Sequence, residues 1–159
     1  MKSYTLVLIS IFTFVLLSSC EKEDTRFISE EIAHMEELIL KTGEVKPGSS
    51  IPKDETLVDT IEGKWDQQWT MGFIGDQETS IYCGTPYSCF FDKNNSGSFI
   101  SDLSDSPFRW LIRKGYLLIV TEQDTSLYAI QELSNTRLKI ANAEYNNAHE
   151  VVITQFQRE

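Results

Sequence analysis

The chain is poor in the residues on which several classes of protein depend. It has 14 basic residues against 24 acidic ones and a formal net charge of −10, whereas a nucleic-acid-binding protein needs a basic surface. Its two histidines and three cysteines do not stand at the spacing of zinc ligands. We therefore expect no nucleic-acid partner, no metal site and no cofactor.

Motifs of the common enzyme classes are missing as well. There is no nucleophile elbow, no His-Glu-x-x-His and no glycine loop that could hold a phosphate. Asp102 and Asp105 flank a loop that contains serines, but serine and aspartate are ordinary turn residues. Because catalysis needs titratable groups within reach of one another, the sequence favours a protein that is not an enzyme.

No apolar run reaches the roughly 20 residues that a membrane-spanning helix needs. The most apolar stretch, residues 5–17, follows a single positive charge at Lys2 and is followed by two serines. A charged start, a short apolar stretch and small residues before a cleavage site are the parts of a secretory signal peptide. We therefore predict that residues 1–19 are a signal peptide that is removed on export.

The segment 17–20, Leu-Ser-Ser-Cys, closely resembles the lipobox of bacterial lipoproteins. In that family the cysteine carries the lipid, so the resemblance implies a membrane anchor on Cys20, with more than one acyl chain for durable attachment.

The acidic residues and one lysine at 21–24 are similar to the signal that sends some Bacteroidetes-type lipoproteins to the outer leaflet of the outer membrane. The alternatives are a structural cysteine and a solvated charged tether. The expected location is the cell envelope, anchored in the outer membrane, with surface exposure left open.

Residues 20–57 predict a tether that contains one short helix. Ser29 is a suitable N-cap, apolar residues recur at helical spacing behind it, and Gly43 is a suitable stop. This pattern predicts a helix over residues 29–41. Proline, glycine and serine are frequent in residues 44–57, which are therefore predicted to form a linker.

From about residue 58 the chain changes to eight or nine short β-like runs separated by turn residues. Alternation is visible within them, since Phe108, Trp110 and Ile112 share one face of a strand. Many short strands without intervening helices indicate an all-β domain over residues 58–159, either an antiparallel barrel or a sandwich.

A family resemblance favours the barrel. Gly63 and Trp65 form a Gly-x-Trp segment at the start of the first long strand, as in lipocalins, and the order of the segments over residues 89–156 is similar to the small lipocalin-like domain of Bacteroidetes-type lipoproteins. The resemblance implies an antiparallel up-and-down β-barrel of about eight strands, which the short helix predicted from the sequence pattern would precede. It also implies that Arg158 lies over Trp65 and closes the barrel, as the corresponding arginine does in larger lipocalins.

Aromatic residues are frequent in the barrel region and suit an apolar or amphiphilic ligand, although an all-β core needs such residues for packing too. Our hypothesis is a lipoprotein whose barrel binds a small ligand of this kind. The alternative is a structural or protein-interaction lipoprotein of the outer membrane, with a filled barrel and an envelope protein as its partner. The residues predicted to contact the ligand are Trp69, Phe73, Phe90, Trp110 and Tyr128.

Cys83 and Cys89 remain once Cys20 is assigned to the lipid. An exported chain lies in an oxidising compartment, which favours a disulfide between them. A redox function would prefer Cys-x-x-Cys, which this spacing is not. We therefore predict a structural disulfide that closes a short loop and stabilises the fold by roughly 2 kcal/mol.

Overall fold

The structure is a computed structural model, and it describes residues 29–41, 45–52, 57–81, 86–142 and 151–159. The chain divides into two compact units, Met1–Glu36 and Glu37–Glu159. Residues 29–41 are helical (α1), as the sequence predicts, and a second helix, α2, spans Val58–Ile61. The strands are β1 (Gly63–Ile74), β2 (Gln77–Ile81), β3 (Ser88–Phe91), β4 (Ser96–Ile100), β5 (Asp105–Arg113), β6 (Tyr116–Val120), β7 (Thr125–Leu133), β8 (Arg137–Asn142) and β9 (Val151–Arg158).

The strands form one closed antiparallel barrel. From β3 to β9 each strand pairs with the next along the chain, and β9 pairs back onto β1. Strands β2 and β3 both pair with β1, β2 along Met71–Ile74 and β3 along Gly63–Asp66, so together they fill a single position in the wall. The barrel therefore has eight positions, which confirms the predicted all-β, antiparallel architecture.

One end of the barrel, which we call the closed end, is sealed by α2. Ile61 of α2 is fully buried and belongs to the same apolar cluster as Trp65. The Trp65 indole donates from Nε1 to the Ile61 carbonyl at 2.6 Å. The β5–β6 turn lies at this end too, and Lys114 and Gly115 both adopt positive φ in it, a conformation that two-residue hairpin turns of this kind require.

Large aromatic side chains fill the barrel near the closed end. Phe91 packs edge-on against Phe108 and Trp110, with ring centroids 5.5 and 5.6 Å apart. Gly97 lies beside them, and a Cβ there would come within 2.4 Å of the Phe108 ring. Because protein interiors are close-packed, this half of the barrel is a core rather than a ligand cavity.

The described part of the predicted linker, residues 45–52, lies against the barrel wall. The Gly48 amide donates to the Ile130 carbonyl at 2.9 Å, and the Gln131 side chain donates to the Lys46 carbonyl at 2.8 Å. Ile51 is buried and joins the apolar cluster of the barrel. This segment is therefore packed structure, and the proline and glycine that suggested a linker serve a close approach between backbones.

Candidate functional site in the barrel interior

Three residues predicted to close the barrel meet at its closed end. Trp65 and Arg158 are direct partners in the β1–β9 ladder, and the Arg158 guanidinium lies 4.4 Å from the centroid of the Trp65 ring. Arg158 also donates from Nη2 to the Thr60 carbonyl in α2. Gly63, at the first position of β1, has a φ of 118°, which only glycine adopts readily. These contacts join α2, β1 and β9.

A β-bulge in β1 places two of the predicted ligand residues outside the barrel. Gln67 pairs with Phe156 but Trp69 pairs with Gln155, so one extra residue is inserted between them. A shift of one residue exchanges the two faces of a strand. Trp69 therefore points outward, where the Lys139 ammonium lies 5.6 Å from its ring centroid, and Phe73 lies on the same outer face.

The other three predicted ligand residues have different surroundings. Phe90 is 38% exposed and lies between the buried Cys89 and Phe91, so it points outward and does not line the interior. Trp110 is 1% exposed and donates from Nε1 to the Ser96 carbonyl at 2.7 Å, which makes it part of the filled core. Tyr128 is partly buried and packs against that core from inside the barrel.

On both sides of the bulge, the inner face of the barrel carries polar side chains that sequence reasoning missed. Gln67 donates from Nε2 to the Thr70 hydroxyl at 2.7 Å, and the Thr70 and Thr154 hydroxyls are 3.0 Å apart. The Gln67 side-chain oxygen Oε1 accepts from the Tyr87 backbone amide at 3.3 Å. We call Gln67, Thr70, Tyr87 and Thr154 the interior polar cluster. The cluster joins β1, β9 and the residue that directly precedes β3.

Tyr87 connects this cluster to aromatic surroundings. Its ring packs edge-on against Phe99 and Phe156, with centroids 5.6 and 5.8 Å away. Burial is the main reason that the pKa of the Tyr87 hydroxyl is raised above its ordinary value, and the nearby Cys89 and Tyr128 add to it. The phenol is therefore neutral across the physiological range and available as a hydrogen-bonding group.

The charged side chains of these strands lie away from the interior polar cluster. Lys139 is on the outer face over Trp69, the Arg137–Glu132 pair is half-exposed on the surface, and Lys64 pairs with Glu159 at the closed end. Around the interior polar cluster, the inward strand positions that the structure describes hold uncharged side chains. The site can therefore hydrogen-bond a neutral polar group, but it offers an ionised group no counter-charge.

Cys89 is a buried, free thiol, 2% exposed, on the inner face of β3. Burial raises its pKa, as expected for a thiol in apolar surroundings. The structure thus has Cys89 as a core residue and not as half of a disulfide, while Cys83 lies outside the described residues. A bridge between them would require the Cys83 side chain to reach the barrel interior, a demand that loop spacing alone does not reveal.

Within the described ranges, no group of three or more His, Cys, Asp or Glu side chains is placed to hold a metal ion. The helices among those residues are too short or too polar to cross a membrane. Cys20 lies outside the described residues. No protein-family model matches the chain, and no curated protein matches it.

Proposed function

We propose that the barrel binds one small, neutral, amphiphilic molecule beside the interior polar cluster. The observation that carries the proposal is the hydrogen-bonded series Gln67–Thr70–Thr154. Among the described residues that are buried, Thr154 alone is polar. Burying polar groups is unfavourable unless they have partners. These side chains satisfy one another in part, and the Gln67 amide and the two hydroxyls keep further donor and acceptor capacity for a ligand.

The surroundings of the cluster favour a ligand with an apolar body. The ring of Tyr87 contacts those of Phe99 and Phe156 beside it, and Tyr128 packs on the core nearby. Pockets for small molecules commonly combine apolar walls with a few convergent polar groups. A hydroxyl, ester or amide at one end of an apolar molecule matches this arrangement, because the inward positions around it are uncharged.

The same proposal includes a lipid anchor. A chain tethered through Cys20 would hold the barrel beside a membrane, which is a reservoir of amphiphilic molecules. The lipobox-like residues 17–20 support this part, and replacing Cys20 with Ala should release the protein from membranes that are washed at alkaline pH. A variant that stays with the membrane would contradict the anchor while leaving the interior site untouched.

Native mass spectrometry tests the ligand directly. The full chain is released from its own cell envelope in a mild detergent, and we expect a discrete added mass that survives gentle activation. In the double variant Thr70→Val, Thr154→Val the shape of the cluster is kept but its hydrogen-bonding groups are lost, so this mass should disappear.

Thr136→Val, on an exposed turn, is the matched control and should retain the added mass. A bare wild-type protein would instead favour the alternative of a structural or interaction lipoprotein. An added mass that the double variant keeps would place the ligand elsewhere and contradict the interior site.

A further inference from the structure

A concave site lies outside the barrel at its closed end. It is a pocket of about 710 Å³ between the 45–52 segment and the β5–β6 turn. Its apolar lining comes mainly from Pro47, Ile51 and Tyr116, and its charged lining from Lys46 and Lys114. It shares no residue with the interior polar cluster.

The pocket is built from fixed parts of the structure. The 45–52 segment is held by the Gly48 amide on the Ile130 carbonyl and by the Tyr116 hydroxyl, which donates to the Val45 carbonyl at 3.2 Å. Pro47 covers Gly115 so closely that a Cβ on that glycine would come within 2.8 Å of it. The walls are therefore preorganised, which lowers the entropic cost of binding a ligand.

Charge distinguishes this pocket from the rest of the molecule. The chain carries a net charge of −10, yet among the residues that the structure describes the lining carries two lysines and no acid. Lys114 also has an interaction within the chain. Lys46 is exposed and, among the described residues, forms no ion pair. Two ammonium groups above an apolar floor favour an anion that carries an apolar part.

We propose that this pocket binds an amphiphilic anion, a carboxylate or a phosphate monoester on an apolar chain, with the anionic group at Lys46 and Lys114 and the chain along Pro47, Ile51 and Tyr116. The site is independent of the neutral ligand proposed for the interior. Lysine acts on such a group as a point charge, so the pocket selects for charge more than for the geometry of one headgroup.

Photocrosslinking of the full chain in nanodiscs of zwitterionic phospholipid tests the proposal. Three probes share one apolar chain of about twelve carbons with a diazirine and end in a carboxylate, a phosphate monoester or an alcohol. The two anionic probes should label peptides that contain residues 45–52 or 114–116, about tenfold more than the alcohol does, because two partly screened charge contacts are lost. Equal labelling by the alcohol would overturn the proposal.

Variants locate the charge. We expect Lys46→Gln with Lys114→Asn to reduce labelling by both anionic probes about tenfold, to the level of the alcohol. Asparagine is chosen at position 114 because it tolerates positive φ better than most residues. Lys139→Gln, on the outer face of β8, is the matched control and should label like the wild type. Unchanged labelling of the double variant would refute the assignment.

Inorganic phosphate separates the sources of the anion. If the apolar floor contributes as proposed, a large excess of inorganic phosphate should leave most of the labelling by the carboxylate probe in place. If inorganic phosphate at the same concentration as the probe abolished the labelling, the pocket would be a simple anion site, and the proposal of an amphiphilic ligand would be refuted. A Gly48→Ala variant tests the wall of the pocket that the 45–52 segment forms. The new Cβ would come within 2.1 Å of the Gln131 carbonyl oxygen and displace this segment, so labelling should be abolished while both lysines remain.

Discussion

Arg158 offers the sharpest test of how the closed end is held together. Replacing it with Met keeps an unbranched apolar stem and removes the guanidinium. The contact with the Trp65 ring at 4.4 Å contributes about 1 kcal/mol in a partly buried site. The hydrogen bond from the charged group to the Thr60 carbonyl adds about 2 kcal/mol.

One contribution opposes these two. The Nε of Arg158 is buried and has no hydrogen-bond partner among the described residues, and an unsatisfied buried donor costs about 1 kcal/mol. Methionine removes that donor and recovers the cost. The expected loss in the free energy of unfolding for Arg158→Met is therefore about 2 kcal/mol.

Urea unfolding of the full chain in a mild detergent, followed by circular dichroism, measures this loss. Arg137→Met is the matched control, since its pair with Glu132 at 3.3 Å is largely exposed and should contribute less than about 0.5 kcal/mol. A double-mutant cycle with Trp65→Phe isolates the ring contact. If Arg158→Met and Arg137→Met lose the same small amount, the closed end is not held by the guanidinium and the reasoning fails.

Two further predictions concern the core. Gly97→Ala should lower the free energy of unfolding by about 2 kcal/mol, because its Cβ would overlap the Phe108 ring and overpacking is destabilising. The control is Gly75→Ala, whose Cβ would meet no described neighbour and which should lower that free energy by only the roughly 1 kcal/mol of strain from its positive φ. Equal losses in urea unfolding would contradict the packing argument. The Cys89 thiol should react with iodoacetamide at least 100-fold more slowly in the folded chain than in urea. Because burial raises the pKa of this thiol in the folded chain, the free energy of unfolding should fall as the pH rises above the ordinary thiol pKa of about 8.5. If denatured but unreduced chain offers no reactive thiol at Cys89, the disulfide predicted from the sequence is present instead.

Local patterns predict the all-β class and the strands, whereas the choice of a barrel over a sandwich rests on the family resemblance. Turn residues such as Lys114 and Gly115 mark the ends of strands, and alternation in β5 places Trp110 on the inner face, where the structure has it. The contact of Arg158 with Trp65 is what the family resemblance implies, and the structure pairs the two residues in the β1–β9 ladder. These features depend on residue type and order, which the sequence displays directly.

The interior site depends instead on where one residue is inserted. If β1 alternated without interruption from Trp65, then Trp69 and Phe73 would line the barrel beside it. The bulge after Gln67 moves the inner face to Thr70 and Gly72, and it occurs at ordinary residues without the glycine that often marks such a bulge. An aromatic lining is thereby exchanged for a hydrogen-bonding one. Pairing with β9 fixes this exchange, because Thr70 meets the inward Thr154 only in the shifted register. The chemistry of the candidate site is thus a property of the β1–β9 closure and not of either strand alone.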